Sequence, residues 1–186
     1  MHRLALLLFA GALLLGACGG GGLSEDQRTI SPSEAEPLGP APEGIDGVLE
    51  WGITDNAHVE GAVDYRISPP VAGPHNPVLA NCKFYDGPIP NENAVHSLEH
   101  GAVWITYEEV DQATIDAIRA IVDSDETGHL LASDYPGQGS PIVMTAWNRQ
   151  LRLDSIDDPR VGEFIDTYLL ADTAPEPGAS CSGGAG

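Results

Sequence analysis

The stretch GAVWITYEEVDQATIDAIRAIVDSD, Gly101 to Asp125, decides the fold class. GAVWITY is apolar, β-branched and aromatic, which predicts a strand. In the residues that follow, Asp111 is a good N-cap, and Ile115, Ile118, Ile121 and Val122 recur at helical spacing. Further on, HLLAS (His129 to Ser133) reads as a strand and DYPGQGSP as a turn-rich loop. PIVMTAW (Pro141 to Trp147) is a second clear strand, and QLRLDSI pairs with it after a tight turn. DDPRVGEFIDTYLLAD is a closing helix, with Asp158 as cap, Pro159 at the first helical position and an apolar face of Val161, Phe164, Ile165, Tyr168 and Leu169.

Toward the N-terminus the pattern changes. VLEWGI (Val48 to Ile53) predicts one short strand. YRISPPVAGPHNPV (Tyr65 to Val78) holds four prolines and Gly73, which excludes regular structure and predicts a long, stiffened loop. FYDGPIPNEN continues it to Asn93. Loops of this length in a small domain are functional or disordered, and proline removes much of the entropy that disorder would gain. The expected class is α+β: a small, mainly antiparallel sheet with two helices on one face, ferredoxin-like in arrangement, plus a loop-rich N-terminal half.

Residues 1–17 read as an export signal. Arg3 precedes LALLLFAGALLL (Leu4 to Leu15), an apolar core too short for a membrane span. LGAC, Leu15 to Cys18, resembles the lipobox of bacterial lipoproteins. That resemblance implies lipidation of Cys18, a membrane partner through that lipid, and a place on the extracytoplasmic face of the cell membrane. Residues 18–45, rich in Gly, Ser, Pro and Glu, read as a disordered tether. Residues 46–186 suit one domain with one core.

The formal charge is −20, with Lys83 the only lysine. Such a surface repels phosphate backbones, so nucleic acid is excluded as a partner. No sequence feature names a protein partner. The densest acidic run, Asp123 to Glu126, lacks EF-hand spacing. With Cys18 assigned to the lipid, Cys82 and Cys181 are left in an oxidising compartment. A disulfide between them ranks first on compartment and parity, ahead of Cys82 as a metal thiolate. Closing so long a loop contributes up to roughly 4–5 kcal/mol in the chain-entropy account.

Histidines carry the functional signal. His58, His75, His96 and His100 all lie in the irregular half, whereas His129 opens a predicted strand and reads as structural. If Glu92 to His100 is helical, with Asn91 as cap and Gly101 as a left-handed stop, His96 and His100 share a face at i and i+4, with Glu99 beside them. Two imidazoles at that spacing can share a metal ion. His75 sits in a Gly-Pro-His-Asn turn that would hold its ring rigidly. The same letters, HSLEH, match the HxxEH pattern of inverted zinc peptidases, but the long helix that pattern requires is missing.

SPPVAGPHNP, NENAVHSLEHGAVWITY and TAWNRQL, in this order after a lipobox and tether, closely resemble the bacterial family catalogued as domain of unknown function 3105. The resemblance spans about His58 to Cys181 and implies an exported, anchored domain whose hallmark segments centre on His58, His75, His96, Glu99 and His100. It brings no established activity. The expected site has His75, His96 and His100 as core ligands of a copper or zinc ion, completed by His58 or Glu99. The alternatives are a zinc-dependent hydrolase with Glu99 as base and a metal-free binding or scaffold module.

Overall fold

The computed structural model describes residues 35–186. The export signal, Cys18 and most of the expected tether lie outside the described residues. The described chain forms β1 (Gly39–Pro40), β2 (Leu49–Glu50), α1 (Asn91–Glu99), β3 (Val103–Tyr107), α2 (Gln112–Asp123), β4 (Leu130–Asp134), β5 (Ile142–Ala146), β6 (Arg149–Leu153) and α3 (Arg160–Tyr168). This is an α+β fold with one six-stranded sheet in the order β1-β2-β6-β5-β3-β4. All strand pairings are antiparallel except β3 with β4, where Trp104 lies opposite Leu131. A parallel neighbour needs a crossover, and α2 supplies it.

The ferredoxin-like arrangement would insert a strand between the two joined by a crossover helix. Here β3 and β4 pair directly, and β5 and β6 extend the sheet on the other side of β3. Hydrophobic patterning gives the elements but not which edge a hairpin joins.

Every residue of β3 and β5 is buried, so both faces of the sheet are covered. On one face Val103, Ile105, Met144 and Leu151 meet Ile118 and Val122 of α2 and Val161, Phe164 and Tyr168 of α3. On the other, Trp104 and Leu131 meet Ala94, Val95 and Leu98 of α1, together with Ile67, Val71 and Ala72 from the proline-rich loop. Trp51, beside β2, and Trp147, in the β5–β6 turn, are core residues of this second face. Burying a side chain such as Leu98 contributes about 1.5–3 kcal/mol.

The domain begins earlier than composition indicates. Residues 35–45 belong to it: Gly39–Pro40 pairs with Leu49–Glu50, Ala41 is buried, and Glu43 pairs with Arg149. Backbone pairing and one ion pair hold this segment, and neither leaves a hydrophobic period. At α3 the chain also differs by one position. Pro159 is the N-cap, and Asp158 accepts from the Arg160 amide at 3.0 Å and pairs with its guanidinium at 2.7 Å. Asp111 caps α2 as expected, accepting from the Thr114 amide.

Helix α1 positions the site. Pro90 stands at its N-cap, and Asn91 is its first residue rather than its cap. It ends in a Schellman motif: the Gly101 amide donates to the Leu98 carbonyl at 3.0 Å and the Ala102 amide to Ser97 at 3.1 Å. Gly101 has φ +87°, and a Cβ there would stand 3.0 Å from Leu170 Cα. The C-terminal tail crosses this helix end. Glu176 and Gly178 amides donate to the Glu99 and His100 carbonyls, each at 3.0 Å. The Cys82–Cys181 disulfide, 99 residues apart in sequence, fastens the tail, so Cys82 is not a thiolate ligand. Gly101→Ala is expected to lower the unfolding free energy by about 1–2 kcal/mol from the left-handed backbone alone. Denaturant titration measures it; an unchanged midpoint would show that neither the turn nor the tail contact is constrained.

Candidate metal centre

Two segments bring the histidines together. In the irregular half, the chain around His58 runs alongside that around His75 as an isolated parallel bridge. The Val59 amide donates to the His75 carbonyl at 2.8 Å, and the His75 amide to Ala57 at 3.0 Å. The Tyr65 hydroxyl holds the Pro74 carbonyl at 2.6 Å and stiffens the turn from a third point. The second segment is α1, whose 3.6-residue period places His96, Glu99 and His100 on one face.

His58, His75, His96 and Glu99 each offer one ligand atom to a common point, and those atoms all lie within 4.8 Å of one another. The three rings are 4.8–5.0 Å apart, centroid to centroid. His75, His96 and Glu99 are 0%, 6% and 2% exposed. The His58 side chain is half exposed and forms the outer wall.

Hydrogen bonds fix how the rings point. Nδ1 of His75 faces the Gly73 carbonyl at 2.8 Å, Nδ1 of His96 faces Asn76 at 2.7 Å, and Nδ1 of His100 faces Ser180 at 2.8 Å. A carbonyl oxygen only accepts, so each Nδ1 carries a proton and each Nε2 of a neutral ring presents a lone pair. Those lone pairs meet other acceptors. His75 Nε2 lies 2.9 Å from Glu99 Oε2, and His96 Nε2 lies 3.1 Å from His100 Nε2. A cation, either a proton or a metal ion, is needed between such pairs.

Burial disfavours a proton on the rings. It pushes His75 below the ordinary histidine value, against the pull of the Gly73 carbonyl and Glu99. His96 is also lowered, first by burial and then by the neighbouring histidines, against the Asn76 carbonyl. Glu99 occupies the last turn of α1, where the helix dipole disfavours a negative charge. Its second oxygen, Oε1, accepts from Asn56 Nδ2 at 2.8 Å.

The expected core trio divides. His75 and His96 share the first group with His58 and Glu99, whereas His100 falls in an adjoining group with Glu99 and Glu176. His100 Nε2 is 3.7 Å from Glu176 Oε2. Sequence reasoning missed Glu176 and Asn56. Glu176 lies in a Pro-rich tail with no pattern, and only the fastened tail brings it to His100. His129 is structural as expected, its ring nitrogens meeting the carbonyls of Thr127 and Ala179 at 2.8 and 2.9 Å.

A family model described as protein of unknown function (DUF3105) matches residues 58–183, and the chain belongs to that family. The match begins on His58 and takes in every candidate ligand, while Asn56 and Ala57 lie just before it. No curated protein and no solved structure matches the chain.

The lowered histidines give the stability a pH dependence. His75 and His96 bind protons less readily folded than at their ordinary value of 6.5, so the unfolded chain takes up the extra protons. Their contribution is full above that value and is lost as pH falls through the lowered folded values. Denaturant unfolding in excess chelator should therefore show falling stability from pH 7 to 5, with a shallower slope in His75→Gln. Stability that is flat or rises over that range would contradict the burial of neutral rings.

Proposed function

We propose that this member of the DUF3105 family is a lipid-anchored, extracytoplasmic domain that binds one divalent copper or zinc ion through His58, His75, His96 and Glu99. The observation that carries the reading is the set of buried lone pairs on His75, His96 and His100, oriented by carbonyls and facing other acceptors at 2.9–3.1 Å. Ring nitrogens whose far side donates to a carbonyl are the usual arrangement of metal-bound histidine. Three imidazoles and one carboxylate suit copper(II) or zinc. Copper is preferred, because this imidazole-rich site holds no free base. The Leu-Gly-Ala-Cys motif ending at Cys18 supports the anchor, and no helix among the described residues is long and apolar enough to cross a membrane.

Binding is favoured over hydrolysis by two features. Four protein ligands make a closed set, whereas hydrolytic zinc keeps a position for water. Glu99 is itself one of those four ligands, with one oxygen held by the Asn56 side chain, so it is not the free base that hydrolysis needs. A metal-free scaffold would need a proton in each acceptor–acceptor contact, and burial disfavours one on the His75 and His96 rings.

The test is elemental analysis of protein extracted from membranes without chelator. About one equivalent of copper or zinc is expected. Asn56→Ala, which frees Glu99, should weaken affinity about 10- to 100-fold, and His75→Ala at least as much. Cys18→Ser should leave metal content unchanged while moving the protein out of the membrane fraction. Equal metal content in wild type and His75→Ala would overturn the site, and a Cys18→Ser chain still in the membrane would overturn the anchor.

A further inference from the structure

His100 is left over by the four-ligand site, and its surroundings give it a separate purpose. It is 8% exposed, its Nδ1 is committed to the Ser180 carbonyl at 2.8 Å, and its Nε2 points at the His96 Nε2 at 3.1 Å. With both Nδ1 atoms protonated toward carbonyls, two neutral Nε2 lone pairs face each other there. On its open side lies Glu176, whose carboxylate is 3.7 Å away and whose side chain is 60% exposed. Glu99, His100 and Glu176 offer ligand atoms within 4.8 Å of one another.

We propose that Glu99, His100 and Glu176 form a second metal position, sharing Glu99 with the closed site and open to solvent through Glu176. This rests on the four-ligand reading only in that the two positions share Glu99. One imidazole and two carboxylates leave coordination places for water, so this position binds the same divalent ion more weakly and exchanges it faster. It adjoins the closed site through the facing His96 and His100 nitrogens. An ion can pass between the two by exchanging ligands one at a time, without regaining its full hydration shell. The second position is thereby the route by which the closed site fills and empties.

The tail completes it. Glu176 is held over the end of α1 by its own amide, which donates to the Glu99 carbonyl at 3.0 Å. Ser180, which orients His100, is next to Cys181 of the disulfide. The chain between α3 and the disulfide therefore supplies one ligand and orients another.

The experiment is calorimetric titration of the metal-stripped, full-length protein with zinc, followed by chelator-driven release from the loaded protein. Wild type should bind two ions, the second at least 10-fold more weakly. Glu176→Gln changes an exposed side chain outside the four-ligand set. It should lose the weaker ion, keep the tight one, and release the tight ion several-fold more slowly. Glu163→Gln, an exposed carboxylate on α3, should still bind two and serves as the control for general attraction to an acidic surface. One tight ion in both wild type and Glu176→Gln, with equal release rates, would overturn the second position and leave the four-ligand site standing. Loss of the tight ion in Glu176→Gln would also overturn it, by placing Glu176 in the first site. A wild type that takes up no ion would overturn the four-ligand site, and the shared position with it.

Discussion

Glu99 is a carboxylate 2% exposed to water at the C-terminal end of a nine-residue helix, and much of the molecule is arranged around that fact. Burying a charge costs several kcal/mol unless partners compensate it. The helix dipole adds to the cost. Asn56 takes one oxygen, and His75 and His58 crowd the other. Asn56 donates, but His75 presents a lone pair to the carboxylate unless a cation joins them, and a divalent ion supplies what is missing. The two segments that carry them are both held by backbone hydrogen bonds before any ion arrives: the His58–His75 bridge and the Schellman end of α1.

The sheet gives this arrangement a rigid base. One face is an ordinary core closed by α2 and α3. The other carries Trp104 and Leu131, on which Val95 and Leu98 of α1 and the proline loop rest. Residues on α1 alternate between these two duties: Val95 and Leu98 face the sheet, while His96, Glu99 and His100 face the loop and the tail. Replacing any of the sheet-facing residues would shift the ligands without touching them. The disulfide serves the same end by fixing the tail against Cys82 and, through it, the Ser180 carbonyl that orients His100.

Much of this was legible in the sequence, and what was not has physical reasons. The strands at Val103 and Ile142, the helix capped by Asp111 and the left-handed stop at Gly101 follow from local chemistry and were read directly. His96, Glu99 and His100 share a face because the segment is helical, which its capping and stop signals indicated. That His75 and His58 would join them rested on a rigid turn and a family resemblance, since no local rule brings residues 20 or more positions apart to one point. The strand order, the pairing of residues 39 and 40, and the placing of Glu176 all depend on contacts between distant segments. Such contacts are written in no periodicity. His100 shows the limit most clearly: its i+4 relation to His96 is correct, yet His96 groups with His58 and His75 while His100 groups with Glu176 from the distant tail.

X-ray absorption at the metal edge, on full-length protein loaded with one equivalent of copper(II) or zinc, reads the ligands most directly. The account predicts a first coordination layer of about four nitrogen and oxygen atoms near 2 Å, with the outer-ring scattering of three imidazoles. A layer of water and carboxylate oxygens with no imidazole scattering would contradict it. It would mean that the histidines gather around Glu99 for some reason other than a metal ion.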